Sequence, residues 1–260
     1  MHEKRFYIWV ALLLVCASVS GCAGSVKQPS QPSPPSPADP SEHFNRKVFS
    51  FNVAFDHAIT RPIARGYTHL PTPVRLGVHD FVQNLGEPEV LVNDVLQGNA
   101  LRSLTTGGRF VVNSTIGIGG FIDVAKHMGM PYHNADLGQT FGVWGMGPGR
   151  VLEIPILGSL NVRDTVGTVV GGFINPLGQS PSTVVTALNT AKSVGGIVDG
   201  RARALPVTDR LEKSDDYYAA IRDLKIKQRA RFVMEGKVGS VRSTHHDVEG
   251  KGESEPKIAP

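Results

Sequence analysis

A long apolar segment, from Arg109 to Ala125, limits the possible folds of this chain more than any other feature of the sequence. It is bounded by charged residues and contains three glycines between positions 117 and 120. At about 1.5 Å per residue, a helix of this length is shorter than the ~30 Å hydrocarbon core of a bilayer, so it does not predict a membrane-spanning helix. It also lacks the polar face of an ordinary surface helix. Two interpretations follow: a helix buried in a protein core, or an element lying partly in lipid.

The N-terminal residues have the parts of a bacterial secretory signal. A short charged start precedes an apolar run that ends at Val19, and small residues then lead to Cys22. This end resembles the lipobox of bacterial lipoproteins, which implies removal of residues 1–21 and acylation of the Cys22 thiol, for example with palmitate. Ala23 follows where an aspartate would imply retention in the inner membrane. We therefore expect a lipid anchor on the periplasmic side of the outer membrane; the alternative is an ordinary signal peptide with a coincidental cysteine.

The remainder divides into three parts by composition. Residues 22–38 are rich in proline and serine and predict an extended tether. Residues 39–235 carry amphipathic patterns and predict the folded domain, whereas residues 236–260 are polar and predict a disordered tail. Hydrophobic residues make up 40% of the chain and charged residues 19%, which disfavours both a membrane-spanning bundle and a disordered protein. The net charge of +4 does not argue for nucleic acid as a partner, and we expect none.

Helix signals dominate the folded domain. A first helix is predicted to begin with Asp39 as its N-cap and Glu42 as the capping-box partner. It should end at Arg61-Pro62, because the residue before a proline disfavours helical geometry. Its apolar face consists of four residues at helical spacing: Phe44, Val48, Phe51 and Phe55.

Further helices are predicted from the same signals. One should run from Thr72-Pro73 to Glu87-Pro88, and a short one should follow as far as Leu96. The other helix starts are predicted from capping residues: Asn99, Ser180 before Pro181, and Ser214. The best strand candidate is Val151 to Ile156. The sequence therefore predicts an all-α domain.

Motifs for catalysis, nucleotides and metals do not appear in the sequence. The glycines after Gly117 lack the final glycine of G-x-G-x-x-G and the lysine of a P-loop, and there is no H-E-x-x-H, G-x-S-x-G or C-x-x-C. His57, His79 and His127 each stand alone, and His245-His246 falls in the predicted tail. We expect no enzyme activity, no cofactor and no metal.

The stretch from Arg201 to Arg242 is basic, with 11 Lys and Arg residues against 6 Asp and Glu. One interpretation is a solvated helix face whose long side chains cover apolar surface. The other is contact with anionic lipid headgroups or an acidic partner.

Short motifs follow one another in a fixed order from about Asp39 to Phe232. They are DPSEHFNRKVFSFN from Asp39, RPIARGY from Arg61, NLGEP from Asn84, NDVLQG from Asn93, the segment 109–125 itself, GQTFGVWG from Gly138, IPILGS from Ile154, VRD from Val162 and SDDYYAAIRD from Ser214. Together they resemble the MlaA/VacJ family of outer-membrane lipoproteins.

The resemblance implies an all-α, ring-like bundle of amphipathic helices, embedded in one membrane leaflet around a polar channel. It implies extraction of misplaced phospholipids from the outer leaflet and their transfer to a soluble periplasmic lipid carrier, which maintains outer-membrane lipid asymmetry. It also implies association with an outer-membrane porin trimer. No reaction is catalysed in such a process.

The resemblance also leads to candidate residues for the lipid path or its gating. They are Phe51 and Asn52 in the first helix, and Asn113, Gly117, Gly119, Gly120 and Asp123 in the apolar segment. That segment is then interpreted as a glycine-hinged element that folds back within one leaflet.

Two other functions remain open from the sequence. A structural lipoprotein that tethers a porin or a cell-wall partner would need no polar path. A lipid hydrolase would need a nucleophile and a base in contact, and the sequence suggests no such pair.

Overall fold

The computed structural model describes residues 39–174 and 182–239. Within these ranges the chain is helical apart from one small sheet, so the predicted all-α class is confirmed. In chain order the elements are α1 (Glu42–Phe55), a π-helical segment (Asp56–Thr60), α2 (Arg61–Thr68), α3 (Thr72–Leu96), α4 (Ala100–Thr115), α5 (Val124–His127), α6 (Leu137–Val143), β1 (Val151–Ile154), β2 (Gly158–Asn161), α7 (Val162–Ile174), α8 (Thr183–Leu211) and α9 (Tyr217–Val238). Among the described residues, no helix has both the length and the apolar content needed to cross a bilayer.

The predicted end of the first helix at Arg61-Pro62 is wrong. α1 continues through the π-helical segment into α2, and Pro62 lies in the first turn of α2. The Arg61 N–H donates to the carbonyl of Asp56, five residues earlier. This wider turn accommodates a proline, because the proline ring and its missing N–H disrupt only the regular four-residue pattern.

The predicted capping box at the start of α1 is also wrong. Ser41 is the N-cap, and its side chain makes no capping bond. Asp39 is fully buried instead, where its carboxylate accepts hydrogen bonds from Asn45 at 2.7 Å and from the Tyr218 hydroxyl. Glu42 accepts from Arg46 at 2.7 Å. The Asp39 carboxylate therefore binds a residue of α9 and does not cap α1.

The predicted break at Glu87-Pro88 is wrong as well, because α3 is one helix with Pro88 inside it. An interior proline costs a helix about 3 kcal/mol. α3 packs against both α4 and α8, and these contacts offset that cost.

The predicted helix starts have mixed outcomes. Asn99 is confirmed as the cap of α4, because its side chain accepts from the N–H of Arg102 at 3.2 Å. α9 is capped by Asp216 and not by Ser214, since the Asp216 carboxylate accepts from the N–H of Ala219 at 3.0 Å. The predicted start at Ser180-Pro181 lies outside the described residues.

The predicted strand is the first half of a β-hairpin. β1 and β2 are antiparallel, with Val151 opposite Asn161 and Ile154 opposite Gly158. Pro155 begins the turn, which is where a residue without an N–H can leave the ladder at no cost.

The boundary predicted for the domain at residue 235 falls inside α9. The helix continues to Val238 and ends at Gly239, whose φ of 70° is the left-handed geometry of a helix C-cap. The predicted signal peptide, the tether with Cys22, and residues 240–260 with His245-His246 all lie outside the described residues.

Candidate functional site

The interior of the described domain is polar. Its largest fully buried side chains are Arg102, Arg109, Gln139, Glu87, Asn45, Thr106, Thr140, Asp39 and Asp94. A small apolar core forms where α2 meets α8, around Ala64, Ala202 and Leu205. In ordinary soluble domains charged side chains are almost never fully buried unless they are paired, so this interior must satisfy its polar groups internally.

The surface, by contrast, is rich in exposed apolar side chains. Leu104 is 75% exposed, Phe173 73%, Ile118 68% and Phe44 64%. The apolar face predicted for α1 includes Phe44 and Phe51, and both are exposed, whereas the polar Asn45 of the same helix is buried. Extensive exposed apolar surface marks contact with a partner or a membrane. The helical periodicity was therefore right, but the face points outward.

Arg109 lies at the centre of a buried ion cluster. Its Nε donates to Glu87 at 2.7 Å, its Nη2 to Asp123 at 3.1 Å, and its Nη1 to the Met130 carbonyl at 2.7 Å. The guanidinium also lies 5.3 Å from the centre of the Tyr132 ring, a cation–π contact. The cluster joins α3, α4 and the segment that follows α4, which fixes both ends of the apolar segment.

Burial and charge oppose each other in this cluster. Burial raises the pKa of Glu87 to about 7, although the adjacent Arg109 favours the charged carboxylate. Burial acts in the same direction on Asp123, but there Arg109 and the amide of Asn113 prevail and hold its pKa below the ordinary value. Arg109 thus keeps at least one of its two carboxylates ionised in the protein interior.

The apolar segment folds back between α4 and α5, as the glycines predicted. Gly119 and Gly120 have φ values of 68° and 98°, which favour glycine. A Cβ on Gly117 would lie 2.3 Å from the carbonyl oxygen of Ile122, and a Cβ on Gly120 would lie 2.5 Å from the Asn84 side chain. The tip of this hairpin exposes four apolar side chains: Ile116, Ile118, Phe121 and Ile122.

The base of the same hairpin is polar. The Asn113 amide donates to Asp123 at 3.0 Å, and its oxygen accepts from the N–H of Ala125 at 2.9 Å. Five of the predicted site residues therefore lie together in one hairpin: Asn113, Gly117, Gly119, Gly120 and Asp123. The hairpin thus has an apolar tip and a base that is held by hydrogen bonds and an ion pair.

The other two predicted residues, Phe51 and Asn52, lie on α1 and not in the apolar hairpin. Asn52 donates to the carboxylate of Glu153 at 2.8 Å and to the carbonyl of Ile154 at 3.0 Å, and it accepts from the N–H of Ile156 at 2.7 Å. Phe51 is 40% exposed and stacks on Phe55. Asn52 thus holds the β-hairpin against α1. Cys22 lies outside the described residues.

Sequence reasoning missed a second buried network. The Asp94 carboxylate accepts from the Thr106 hydroxyl at 2.7 Å and lies 2.8 Å from Nε2 of His133. Thr106 also lies 3.2 Å from that same nitrogen. In a catalytic triad the two ring nitrogens of the histidine face different partners, so this arrangement is not a triad. No sequence signal links these residues, because they come from different helices and loops.

Two of the isolated histidines and several arginines of the basic stretch contact carboxylates within the domain. His57 lies 2.7 Å from Glu212, and His79 lies 2.7 Å from Asp199. In the basic stretch, Arg201 makes two hydrogen bonds to Asp56, at 2.6 and 2.7 Å. Arg222 and Arg229 also pair with carboxylates. Much of this positive charge is therefore internal, which neither sequence interpretation anticipated.

Two clefts adjoin at Asp136. The first has a volume of about 220 Å³ and lies between α3, the start of α6 and α7. The second has about 270 Å³ and lies between the β-hairpin and α9. Asp136 lines both clefts, and it is held by Arg229 through two hydrogen bonds of 2.6 Å. Among the described residues, no group of three His, Cys, Asp or Glu side chains is placed to hold a metal ion.

A comparison with known families gives a match to the family described as MlaA lipoprotein over residues 37–231. The chain belongs to the MlaA lipoprotein family. The match covers every element from α1 to most of α9, so the apolar hairpin, the first cleft and all of the second cleft's lining except Phe232 lie within it.

Relatives and a solved structure agree with this membership of the MlaA family. The intermembrane phospholipid transport system lipoprotein MlaA of Escherichia coli is 33% identical over 75% of this chain and 78% of its own length. A protein of Rickettsia felis is 38% identical over 70% of this chain and 72% of its own length. A solved structure described as "Structural basis for maintenance of bacterial outer membrane lipid asymmetry" is 30% identical, with a TM-score of 0.66 over 75% of this chain and 98% of that chain.

Proposed function

We propose that this protein removes misplaced phospholipids from the outer leaflet of the outer membrane and passes them to a soluble periplasmic carrier. Its relative in Escherichia coli is an intermembrane phospholipid transport system lipoprotein, which supports this assignment. Such transport maintains the lipid asymmetry of the outer membrane and requires no chemical reaction. The protein is proposed to act with an outer-membrane porin trimer.

The inverted polarity of the domain is the observation that carries this proposal. Exposed apolar side chains on several helices suit the acyl chains of one leaflet, and the buried ionic groups suit a polar path for headgroups. None of the described helices could cross the whole bilayer, so embedding in a single leaflet is the arrangement that fits these surfaces. We propose that the helices surround a polar channel there, with acylated Cys22 as an anchor.

Deletion of the gene should raise the phospholipid content of the outer leaflet and the sensitivity of cells to detergent. The full-length protein should reverse both changes, because it returns misplaced lipid to the periplasmic side. The Cys22→Ser variant should restore much less, since several acyl chains at about 0.8 kcal/mol per CH₂ would be lost. Outer-leaflet phospholipid is measured by labelling intact cells.

Two further results would contradict the proposal. Unchanged outer-leaflet phospholipid in the deletion strain would exclude the transport function. A purified protein that never co-isolates with phospholipid would favour the alternative, a structural lipoprotein that only tethers a partner.

We propose that the apolar hairpin gates the lipid path and that its glycines supply the necessary motion. Gly117 permits the close contact with Ile122, Gly119 and Gly120 supply left-handed geometry, and Asn113 with Asp123 fixes the base. In the same scheme, Phe51 meets lipid while Asn52 holds the β-hairpin beside the second cleft.

Replacing both Gly119 and Gly120 with alanine should impair this gating. Left-handed geometry costs an alanine roughly 1–2 kcal/mol, and at Gly120 the new methyl group would also overlap the buried Asn84 side chain. We expect detergent sensitivity and raised outer-leaflet phospholipid in cells that contain normal amounts of the double variant. Gly107→Ala in α4 is the matched control, because open space surrounds that position. Wild-type behaviour of the double variant would exclude the gating role.

A further inference from the structure

The second cleft is lined by both charged and apolar side chains, and unlike the first cleft its lining includes cationic residues. Three cationic side chains and two carboxylates line it: Arg222, Lys225, Arg229, Asp136 and Asp164. Its volume of about 270 Å³ is close to the lower end of small-molecule sites, which span roughly 300–1,000 Å³. A cleft of this size suits a small polar group and not a whole lipid.

The charges that line the cleft leave one cation available. Arg229 donates to both oxygens of Asp136 and lies 2.6 Å from Asp164, and Arg163 also pairs with Asp164 at 2.9 Å, so both carboxylates of the lining are paired with arginines. Arg222 lies 3.3 Å from Glu42 and 3.0 Å from Asp223. Among the described residues, Lys225 makes no ion pair or hydrogen bond; burial lowers the pKa of its ammonium group, and the negative charge of nearby Glu153 opposes that shift.

Glu153 is not a competing partner for that ammonium group. Its carboxylate accepts from Asn52 at 2.8 Å and from the Ser159 hydroxyl. It is itself buried, and within the described ranges it accepts no hydrogen bond from Lys225, which is exposed and lines the cleft. Lys225 is therefore a positive charge that faces a cleft without a protein anion bound to it.

Hydrogen-bond donors and apolar groups complete the lining. Asn134 and Gln228 also line the cleft, and in the part of the chain that the structure describes their side-chain amides have no hydrogen-bond partner. Leu157, which is 63% exposed, lines the cleft from the β-hairpin, and Ile226, which is 39% exposed, lies next to Lys225 on α9. The lining thus combines a cation, neutral hydrogen-bond donors and apolar contact.

We propose that this cleft binds the phosphate-bearing headgroup of a phospholipid. Lys225 supplies the charge for the phosphate, Asn134 and Gln228 donate to its oxygens, and Leu157 contacts the first carbons of the acyl chains. A free phosphate shares the anionic chemistry but would gain nothing from the apolar side chains of the lining. This inference rests on the proposed transport function and assigns a place in the protein to its substrate.

Binding of three probes to the full-length protein in detergent tests the assignment. The probes are dihexanoyl phosphatidylglycerol, inorganic phosphate and dihexanoylglycerol, which have both groups, only the phosphate and only the acyl chains. Calorimetry should show the tightest binding for the phospholipid and none for dihexanoylglycerol. Lys225→Gln should weaken phospholipid binding about tenfold or more, because a charge-assisted hydrogen bond contributes about 1.5–3 kcal/mol. Lys227→Gln on the opposite face of α9 should bind like the wild type.

A second variant separates a lipid headgroup from free phosphate. Leu157→Ser should weaken phospholipid binding several-fold and leave binding of inorganic phosphate unchanged. Inorganic phosphate that binds as tightly as the phospholipid would overturn the headgroup assignment. Equal phospholipid binding by the Lys225→Gln protein and the wild type would overturn the site itself. In that case phospholipid would still co-isolate with the wild-type protein, so a wrong cleft is distinguishable from a wrong function.

Discussion

Replacing Arg109 with methionine is expected to lower the free energy of unfolding by about 3–5 kcal/mol near neutral pH, the range for a buried ion pair that loses one partner. Arg109 is 1% exposed and contacts two carboxylates, Glu87 and Asp123. Methionine fills similar space but leaves both carboxylates in the interior without a cation. The loss is measured by denaturant unfolding of the purified protein in detergent, followed by far-ultraviolet circular dichroism.

The pH dependence of the variant distinguishes lost charge from lost packing. Without Arg109, burial would raise the folded-state pKa values of Glu87 and Asp123 above their unfolded values. A raised carboxyl pKa means that the folded state binds more protons, so stability falls as pH rises from the unfolded to the folded pKa. The deficit of Arg109→Met should therefore shrink when the pH is lowered from about 8 to about 5. A deficit that is constant over this range would indicate packing alone.

Arg65→Met is the matched control for this experiment. Arg65 is 58% exposed, and in the part of the chain that the structure describes its one ion pair is a 3.7 Å contact with Asp209. Exposed pairs of this kind contribute about 0–1 kcal/mol. If Arg109→Met is no less stable than Arg65→Met, then the buried cluster does not hold the hairpin in place.

The ends of the apolar segment show how far the sequence could be interpreted. Its glycines predicted a chain reversal, because glycine alone accommodates left-handed geometry easily, and Gly119 and Gly120 have that geometry. The charged residues at its two ends, Arg109 and Asp123, contact each other and other polar groups. Glu87 could not be predicted as the third member of the ion cluster with Arg109 and Asp123, because it lies on another helix, 22 residues before Arg109. Local rules find turns, whereas ion clusters depend on how helices pack.

The prolines show where local sequence rules predicted helix ends wrongly. Arg61-Pro62 and Pro88 both carried the usual signal for the end of a helix, and both helices continue. At Pro62 a π-helical turn absorbs the irregularity, and at Pro88 packing against two helices offsets the lost hydrogen bond. Neither compensation is visible in a local window of sequence, because each depends on tertiary contacts.

The faces of the helices raise a more general point. Periodicity identifies which residues share a face, but it does not say whether that face points inward. In α1 the apolar face is exposed and Asn45 is buried, where its amide binds Asp39 and the Val151 carbonyl. Only the family resemblance, through its implication of a leaflet-embedded protein, supplied the correct orientation. Composition alone would have favoured an apolar core.

Replacing Gly167 with alanine is expected to destabilise the protein by about 3 kcal/mol, at the upper end of typical overpacking costs. A Cβ on Gly167 would lie 2.4 Å from the backbone nitrogen of Gly138 and 2.7 Å from its Cα. These are backbone atoms, so no change of side-chain rotamer can relieve the overlap, and α6 must move away from α7. Thermal unfolding in detergent measures the loss.

The same displacement should reach the clefts, because Asp136 caps α6 and Asp164 lies on α7. Separating the two helices would pull these carboxylates apart and break their shared contact with Arg229. Gly172→Ala on the same helix is the control: open space surrounds that position, and alanine favours a helix over glycine by roughly 1 kcal/mol. Equal stability of the two variants would show that α6 and α7 can separate freely. Close contact at Gly138 and Gly167 would then have no part in holding Arg229 between the two clefts.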